Sequence, residues 1–168
     1  HPSTMSCMTR VFGPAPDLWE RHPGDPDFLT LRLGTGTVPA KARVEIPALH
    51  LQLEEDELDH VPEQIAEKYA TVDEIPVYTD LIRDGNCGLA GPRNCTVAMA
   101  QSMAVQIAAL HSYDEVKIVV LFPEQEKELW SWMRWLPHCL SEDRDVRYIG
   151  CGRDAKKVLE SMEPIIRQ

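Results

Sequence analysis

The chain lacks any apolar run approaching the ~18 residues a membrane-spanning helix needs, and no secretory leader pattern opens it. Basic residues are scarce, 17 against 27 acidic ones, for a net charge of −10. A field of that sign repels phosphate backbones, and no Lys/Arg cluster recurs at helical spacing, so nucleic acid is excluded as a partner. The five cysteines (Cys7, Cys87, Cys95, Cys139, Cys151) include no C-x-x-C pair. That spacing argues against a zinc site or a disulfide framework and for free thiols in a reducing cytoplasm. No metal cluster, Ser/His/Asp set or spaced carboxylate pair stands out. What is present is ordinary for a folded protein: 43% hydrophobic and 26% charged residues over 168 positions, enough for one sizeable core. An opening histidine in place of methionine is expected of an excised piece, so a membrane-anchored parent stays compatible with the segment.

The most telling absence lies between Gly85 and Ala98. An apolar strand end (Cys87, Leu89, Ala90) runs into Gly91 and then a long helical pattern, followed by a second apolar run, Val116 to Leu121. Strand, glycine turn, helix and buried strand in that order are the scaffold of a P-loop ATPase. Laid on G-x-x-x-x-G-K-[ST] from Gly91, the second glycine falls on Thr96, the lysine on Val97 and the hydroxyl on Ala98. Phe122 stands where such an enzyme keeps its metal-binding aspartate. The expectation is an ATPase shape without ATP hydrolysis: no catalytic residue and no cofactor in this segment. Gly91 and Arg93 remain as weak candidates for an anion held by backbone N–H groups at a helix start, with Asn94 or Thr96 as its N-cap.

Along the rest of the chain, residues 1–17 read as a partly irregular lead-in, and 18–168 as one domain. Phe28–Leu33 alternates at period two and predicts a strand, closed by Gly34-Thr35-Gly36. A second strand is expected at Ala42–Ile46, a helix at Asp56–Tyr69 and a strand at Val77–Ile82. The pattern then gives a strand at Cys87–Ala90, a helix at Thr96–His111 and a strand at Lys117–Phe122. A helix at Glu124–Trp135, a short strand at Val146–Ile149 and a helix at Asp154–Arg167 complete it. Such alternation implies an α/β domain, its largely parallel sheet flanked by helices, degenerate P-loop ATPase-like (Rossmann-like), with an N-terminal β appendage.

Two stretches are more specific than the emptied loop. They are Leu18-Trp-Glu-Arg-His-Pro-Gly-Asp-Pro-Asp-Phe-Leu-Thr-Leu-Arg-Leu-Gly34 and Trp132-Met-Arg-Trp-Leu-Pro-His138, with Gly88-Leu-Ala-Gly-Pro-Arg93 between them. Together they resemble the EssC/EccC membrane ATPases of type VII secretion, of the FtsK/SpoIIIE class, over nearly the whole chain. The resemblance implies the domain of unknown function between the transmembrane helices and the first ATPase module. Such a domain would sit at the cytoplasmic face of the cell membrane, attached only through segments outside this one. It would couple the anchor and other secretion subunits to an export motor that uses ATP and Mg in other modules, in a parent expected to form a hexamer. Both the EssC-like and EccC-like branches stay open. A rival reading is a nucleotide-binding ATPase module with an unorthodox phosphate loop.

Trp19, Arg21, Trp132, Trp135 and His138 are the interface candidates, since exposed Trp and Arg make hot spots. Each has a structural alternative. Trp19 can anchor the N-terminal strand to the core, and Arg21 can pair with Asp25 or Asp27. Asp25-Pro26-Asp27 is turn chemistry. His138 can cap a helix end; a dyad with Cys139 is disfavoured because neighbours in an extended chain face opposite ways. Trp132 and Trp135, three apart, can share a helical face.

Overall fold

The computed structural model describes residues 2–13, 15–42, 45–46 and 60–167. The chain divides into two compact units, residues 1–31 with 79–168 and residues 32–78.

The larger unit is organised by α4 (Arg93–Leu110). Six of its residues at or near the interior are alanine or valine, which lets neighbours approach closely, and apolar residues occur on more than one side, as a helix enclosed by other elements requires. On one flank Val97 and Ala104 join Trp130, Met133 and Cys139 in the main core, with Ile118, Val120, Phe122, Trp132 and Ile149 packed against it. Farther along, Ala109 and Leu110 bury Cys7 of α1 (Thr4–Phe12). α1 corrects the irregular lead-in expected there. Ser3 caps it by accepting a bond from the Ser6 N–H, and Thr4 Oγ1 meets Ser102 Oγ of α4 at 2.5 Å.

After α4 come β3 (Val120–Leu121), a 3₁₀ turn at Glu124–Glu126 and α5 (Lys127–Trp130). Two further 3₁₀ stretches, Ser131–Trp135 and Pro137–Cys139, lead to β4 (Ile149–Gly150) and α6 (Gly152–Ile166). β3 and β4 pair in parallel, Val120 with Ile149 and Leu121 with Gly150. Gly150 is required by contact: a Cβ there would sit 2.7 Å from the Ala155 backbone nitrogen and 2.8 Å from the Asp154 carbonyl carbon.

The smaller unit is built on the pairing of β1 (Thr30–Pro39) with β2 (Thr71–Asp80), together with α2 (Val61–Lys68). Ala40 N–H bonds Ala70 O, Thr37 Oγ1 bonds Asp73, and Gly36 faces Val77, an order that runs antiparallel. In the larger unit a short helix, α3 (Leu81–Asp84), is capped by Asp80, whose carboxylate accepts from the Ile82 and Arg83 N–H groups.

The chain is therefore mixed α/β, but the extended parallel sheet expected from the sequence is replaced, among the described residues, by two small two-stranded sheets. Cys87–Ala90 is not a strand, and Lys117–Phe122 contributes two ladder residues. The expected helix over Glu124–Trp135 breaks into 3₁₀, α and 3₁₀ pieces. Of the strand expected at Ala42–Ile46, Ala42, Glu45 and Ile46 are described and are not in a strand, while residues 43–44 and the start of the Asp56–Tyr69 helix lie outside the described residues.

Candidate functional site

The start of α4 is where a phosphate would be cradled. Gly91 has φ +147°, a conformation that side chains rarely adopt, and Pro92 then leads into Arg93. A Cβ on Gly91 would meet only Thr96 Cγ2, at 4.0 Å, so the requirement for glycine is one of backbone and not of space. Arg93 does not face an open loop. Its Nε and Nη2 donate to Glu126 Oε1 and Oε2 at 2.6 and 2.7 Å, and Glu126 Oε2 also accepts from Trp130 Nε1 at 3.0 Å. That forked pair raises the Arg93 pKa and lowers the Glu126 carboxyl. Val97 is buried in the core, Ala98 is exposed, and Phe122 packs on the same core with its N–H bonded to Gly150 O. The Arg93 guanidinium beside this turn is already neutralised by Glu126.

The other end of α4 gathers most of the remaining candidates. The last carbonyls of a helix have no partner within it. Here Ala108 O accepts from Trp19 Nε1 (2.9 Å), Ala109 O from Trp19 N–H (3.1 Å) and Leu110 O from Arg21 N–H (3.0 Å). His111, fully buried, fixes its own ring: Nδ1 faces Ile107 O at 3.2 Å, and Nε2 accepts from the Leu29 N–H at 3.0 Å. Nε2 can accept only as the lone-pair nitrogen, so His111 is the neutral Nδ1–H tautomer. Its carbonyl in turn receives Nε2–H of buried His138 at 2.8 Å. Burial pushes both imidazole pKa values down, with the Arg21 charge adding at His111 and Lys117 at His138. The rings interlock edge to face: Trp19 with Tyr113 at 5.4 Å, Tyr113 with His138 at 6.2 Å, and Phe28 with His111 at 5.1 Å.

Arg21 is 5% exposed. Its Nε lies 3.0 Å from Asp27 Oδ2, and Nη1 donates to Thr30 O at 2.8 Å. Of its two expected acidic neighbours, Asp27 is the partner; Asp25 instead accepts from the His22 N–H. Trp19 and Leu29 both hold positive φ, 58° and 56°. For residues of that bulk the left-handed region costs about 1–2 kcal/mol each, a strain the hydrogen bonds to α4 and His111 hold in place.

The two remaining candidates separate. Trp132 is half-buried against the core, whereas Trp135 is 76% exposed with the Arg134 guanidinium 5.4 Å above its ring. Spacing had allowed them one face. His111, Tyr113 and Glu126 were not singled out from the sequence. His111 carried a usable signal, a lone histidine directly after the last apolar position of a long helix.

No family model matches the chain. It is 37% identical over 122 residues, 72% of its length, to the ESX secretion system protein EccC of Geobacillus thermodenitrificans. It is 27% identical over 82% of its length to the ESX-4 secretion system protein EccC4 of Mycobacterium tuberculosis. Over its whole length it is 25% identical to the type VII secretion system protein EssC of Staphylococcus aureus. The chain spans 8% of the first of these relatives and 11% of the other two. It belongs to the EccC/EssC type of type VII secretion protein, as a segment of it.

Proposed function

We propose that this segment is a non-catalytic, degenerate ATPase-like module that couples the membrane anchor and partner proteins of a type VII secretion ATPase to its ATP-driven motor. The observation that carries the reading is the state of the α4 start. Arg93 is occupied by Glu126, Val97 and Ala98 offer neither cation nor hydroxyl, and Phe122 packs as a core residue. Those residues do not fit Mg–ATP, so in this reading ATP and Mg act in other modules of the parent. The parent is proposed to be a multimer, a hexamer in the simplest case, with this module at the cytoplasmic face of the membrane. No helix among the described residues is long and apolar enough to cross a membrane, consistent with an anchor supplied elsewhere. Trp135, with Arg134 over it, is the interface candidate whose exposure suits a contact with another domain or subunit. Trp19, Arg21 and His138 would serve by holding the shape of α4's end.

Titration with a fluorescent ATP analogue and Mg tests the first half. No saturable binding is expected in the low micromolar range, which requires ~8 kcal/mol of binding free energy; such binding would overturn the reading. The second half is tested by Trp135→Ala in the full-length parent. Export should fall while the melting curve of the 168-residue chain stays in place, and normal export would remove Trp135 from the interface.

A further inference from the structure

Some basic residues of this acidic chain are held in ion pairs: Arg10 with Asp17 and Glu20, Arg21 with Asp27, Arg93 with Glu126, Arg167 with Glu163. Lys127, Arg134 and Arg147 belong to the others. None of the three joins an ion pair among the described residues. Yet all three line a single cavity of about 260 Å³, together with Ser131, Phe122 and Asp154. The carboxylate in that set is already engaged, Asp154 Oδ1 lying 3.7 Å from Lys157 Nζ. Arg147 is steered toward the cavity wall by donating from Nη1 to the Arg134 carbonyl.

The position of this cavity in the fold is informative. It lies at the carboxyl ends of the parallel pair β3 and β4, bounded by Phe122 after the one and by Gly150 and Cys151 at the end of the other. In α/β architecture that crevice is where ligands bind. α6, 15 residues long, starts there from Cys151 with no side-chain hydrogen bond from its cap, and the acidic Asp154 in its first turn offsets part of the field of its N–H groups and dipole. The contrast with a second cleft of about 520 Å³ is instructive: there Asp114 and Glu142 stand beside Lys117 and Arg144, and the charge cancels.

We propose that the Lys127/Arg134/Arg147 cavity is a binding site for a phosphate-bearing anion. It is separate from the emptied turn at Gly91. The lining supplies two guanidinium groups, Arg134 lying over the Trp135 ring and Arg147 with its Nη1 already bonded to the Arg134 carbonyl, and one ammonium point charge. The volume falls just below the range of pockets that enclose drug-sized ligands, which fits a phosphate or diphosphate group, free or as the end of a nucleotide, better than an enclosed nucleoside.

Isothermal titration of the 168-residue chain, with inorganic pyrophosphate, sulfate and ATP in separate arms, tests this. Pyrophosphate is expected to bind in the millimolar range or tighter. Lys127→Ala and Arg134→Ala should each weaken it by about tenfold, with circular dichroism confirming that each variant is folded. Arg93→Ala should leave it unchanged. ATP binding as pyrophosphate does, and equally sensitive to Lys127→Ala, would make the phosphate end the recognised part; ATP binding many-fold tighter with the same sensitivity would make a nucleotide the occupant. No pyrophosphate or ATP binding, sulfate matching pyrophosphate, or loss with Arg93→Ala in place of Lys127→Ala would each overturn the site. Tight ATP binding lost with Arg93→Ala would instead count against the non-catalytic reading, so the two failures are distinguishable.

Discussion

Replacing His138 with phenylalanine keeps an aromatic ring beside Trp19 and Tyr113 but removes the proton that reaches the His111 carbonyl. That carbonyl belongs to a fully buried residue just past the last turn of α4. Leaving it unpaired costs about 1–3 kcal/mol. Some of that is returned, because His138 Nδ1 is itself buried without a partner among the described residues, and phenylalanine removes an unsatisfied acceptor worth roughly 1 kcal/mol. The net expectation for His138→Phe is therefore about 0–2 kcal/mol of lost stability. His138→Ala also deletes the edge-to-face contacts at 6.2 Å and 6.5 Å and opens a cavity beside Tyr113 and Trp19. Those additions bring the alanine variant to about 3–5 kcal/mol.

Urea unfolding of the 168-residue chain, followed by tryptophan fluorescence, measures both. The ordering matters more than either value: alanine worse than phenylalanine, and phenylalanine no better than wild type. If alanine costs less than about 1 kcal/mol, His138 does not close the end of α4, and the packed arrangement of Trp19, Tyr113 and His138 is not what holds that end together.

Stability should also fall with acid below about pH 6.5, because His111 and His138 both have folded pKa values below their ordinary 6.5. Above that pH both states are neutral and the full stability is present. Below it the unfolded chain binds protons that the folded one refuses, at up to about 1.4 kcal/mol per pH unit per histidine, until the folded pKa is reached. The groups facing them are Arg21, Asp27 and each other for His111, and Lys117 for His138. His22, held by Glu115, shifts the opposite way but is exposed and screened. A urea midpoint that is flat between about pH 7.5 and pH 5.5 would contradict this. Gly150→Ala should be severely destabilising, by more than about 3 kcal/mol, since its Cβ would overlap the α6 backbone; thermal melting near wild type would show that β4 and α6 are not in contact as described. Arg21→Glu should fail to fold, because the new carboxylate would be buried against Asp27 and the Thr30 carbonyl. A cooperative melt near wild type would return Arg21 to the surface.

α4 and α6 were legible because sustained apolar periodicity survives any neighbour; of β1 only Thr30–Leu33 was, through its period-two alternation, and the strand runs on to Pro39 through the turn expected at Gly34–Gly36. The parallel sheet was not. Gly85, Gly88 and Gly91 leave the 87–90 stretch little side chain to pack across a ladder, and the Ile118 N–H goes to the His138 carbonyl instead of a neighbouring strand. The segment 124–135 carries helical composition, yet it forms 3₁₀, α and 3₁₀ pieces in succession, with Trp130 and Met133 both buried in the core. α1 was hidden because its Ser/Thr-rich sequence looks like loop; what fixes it is Cys7 against Ala109 and Leu110, a contact no local pattern announces. At the site, Arg93 was visible as a cation but Glu126, 33 positions away, was not visible as its partner.

The segments on which the family resemblance rests serve opposite ends of one helix, and the two ends are treated differently. At the start of α4 the glycine turn persists, with φ +147° at Gly91, while a forked ion pair with Glu126 occupies the adjacent Arg93. At its finish, two bulky residues are held in a left-handed conformation, and carbonyl after carbonyl finds a donor from Trp19, Arg21 or His138. Strain at Trp19 and Leu29 persists only where surrounding bonds over-determine it, and here those bonds orient α4 and not a ligand. A chain that needed this region for phosphoryl chemistry would concentrate such constraint at the helix N-terminus, where N–H groups and dipole meet an anion. Its concentration at the C-terminus instead argues for a helix kept in position as a mechanical element, with any anion binding moved to the separate cavity at the ends of β3 and β4.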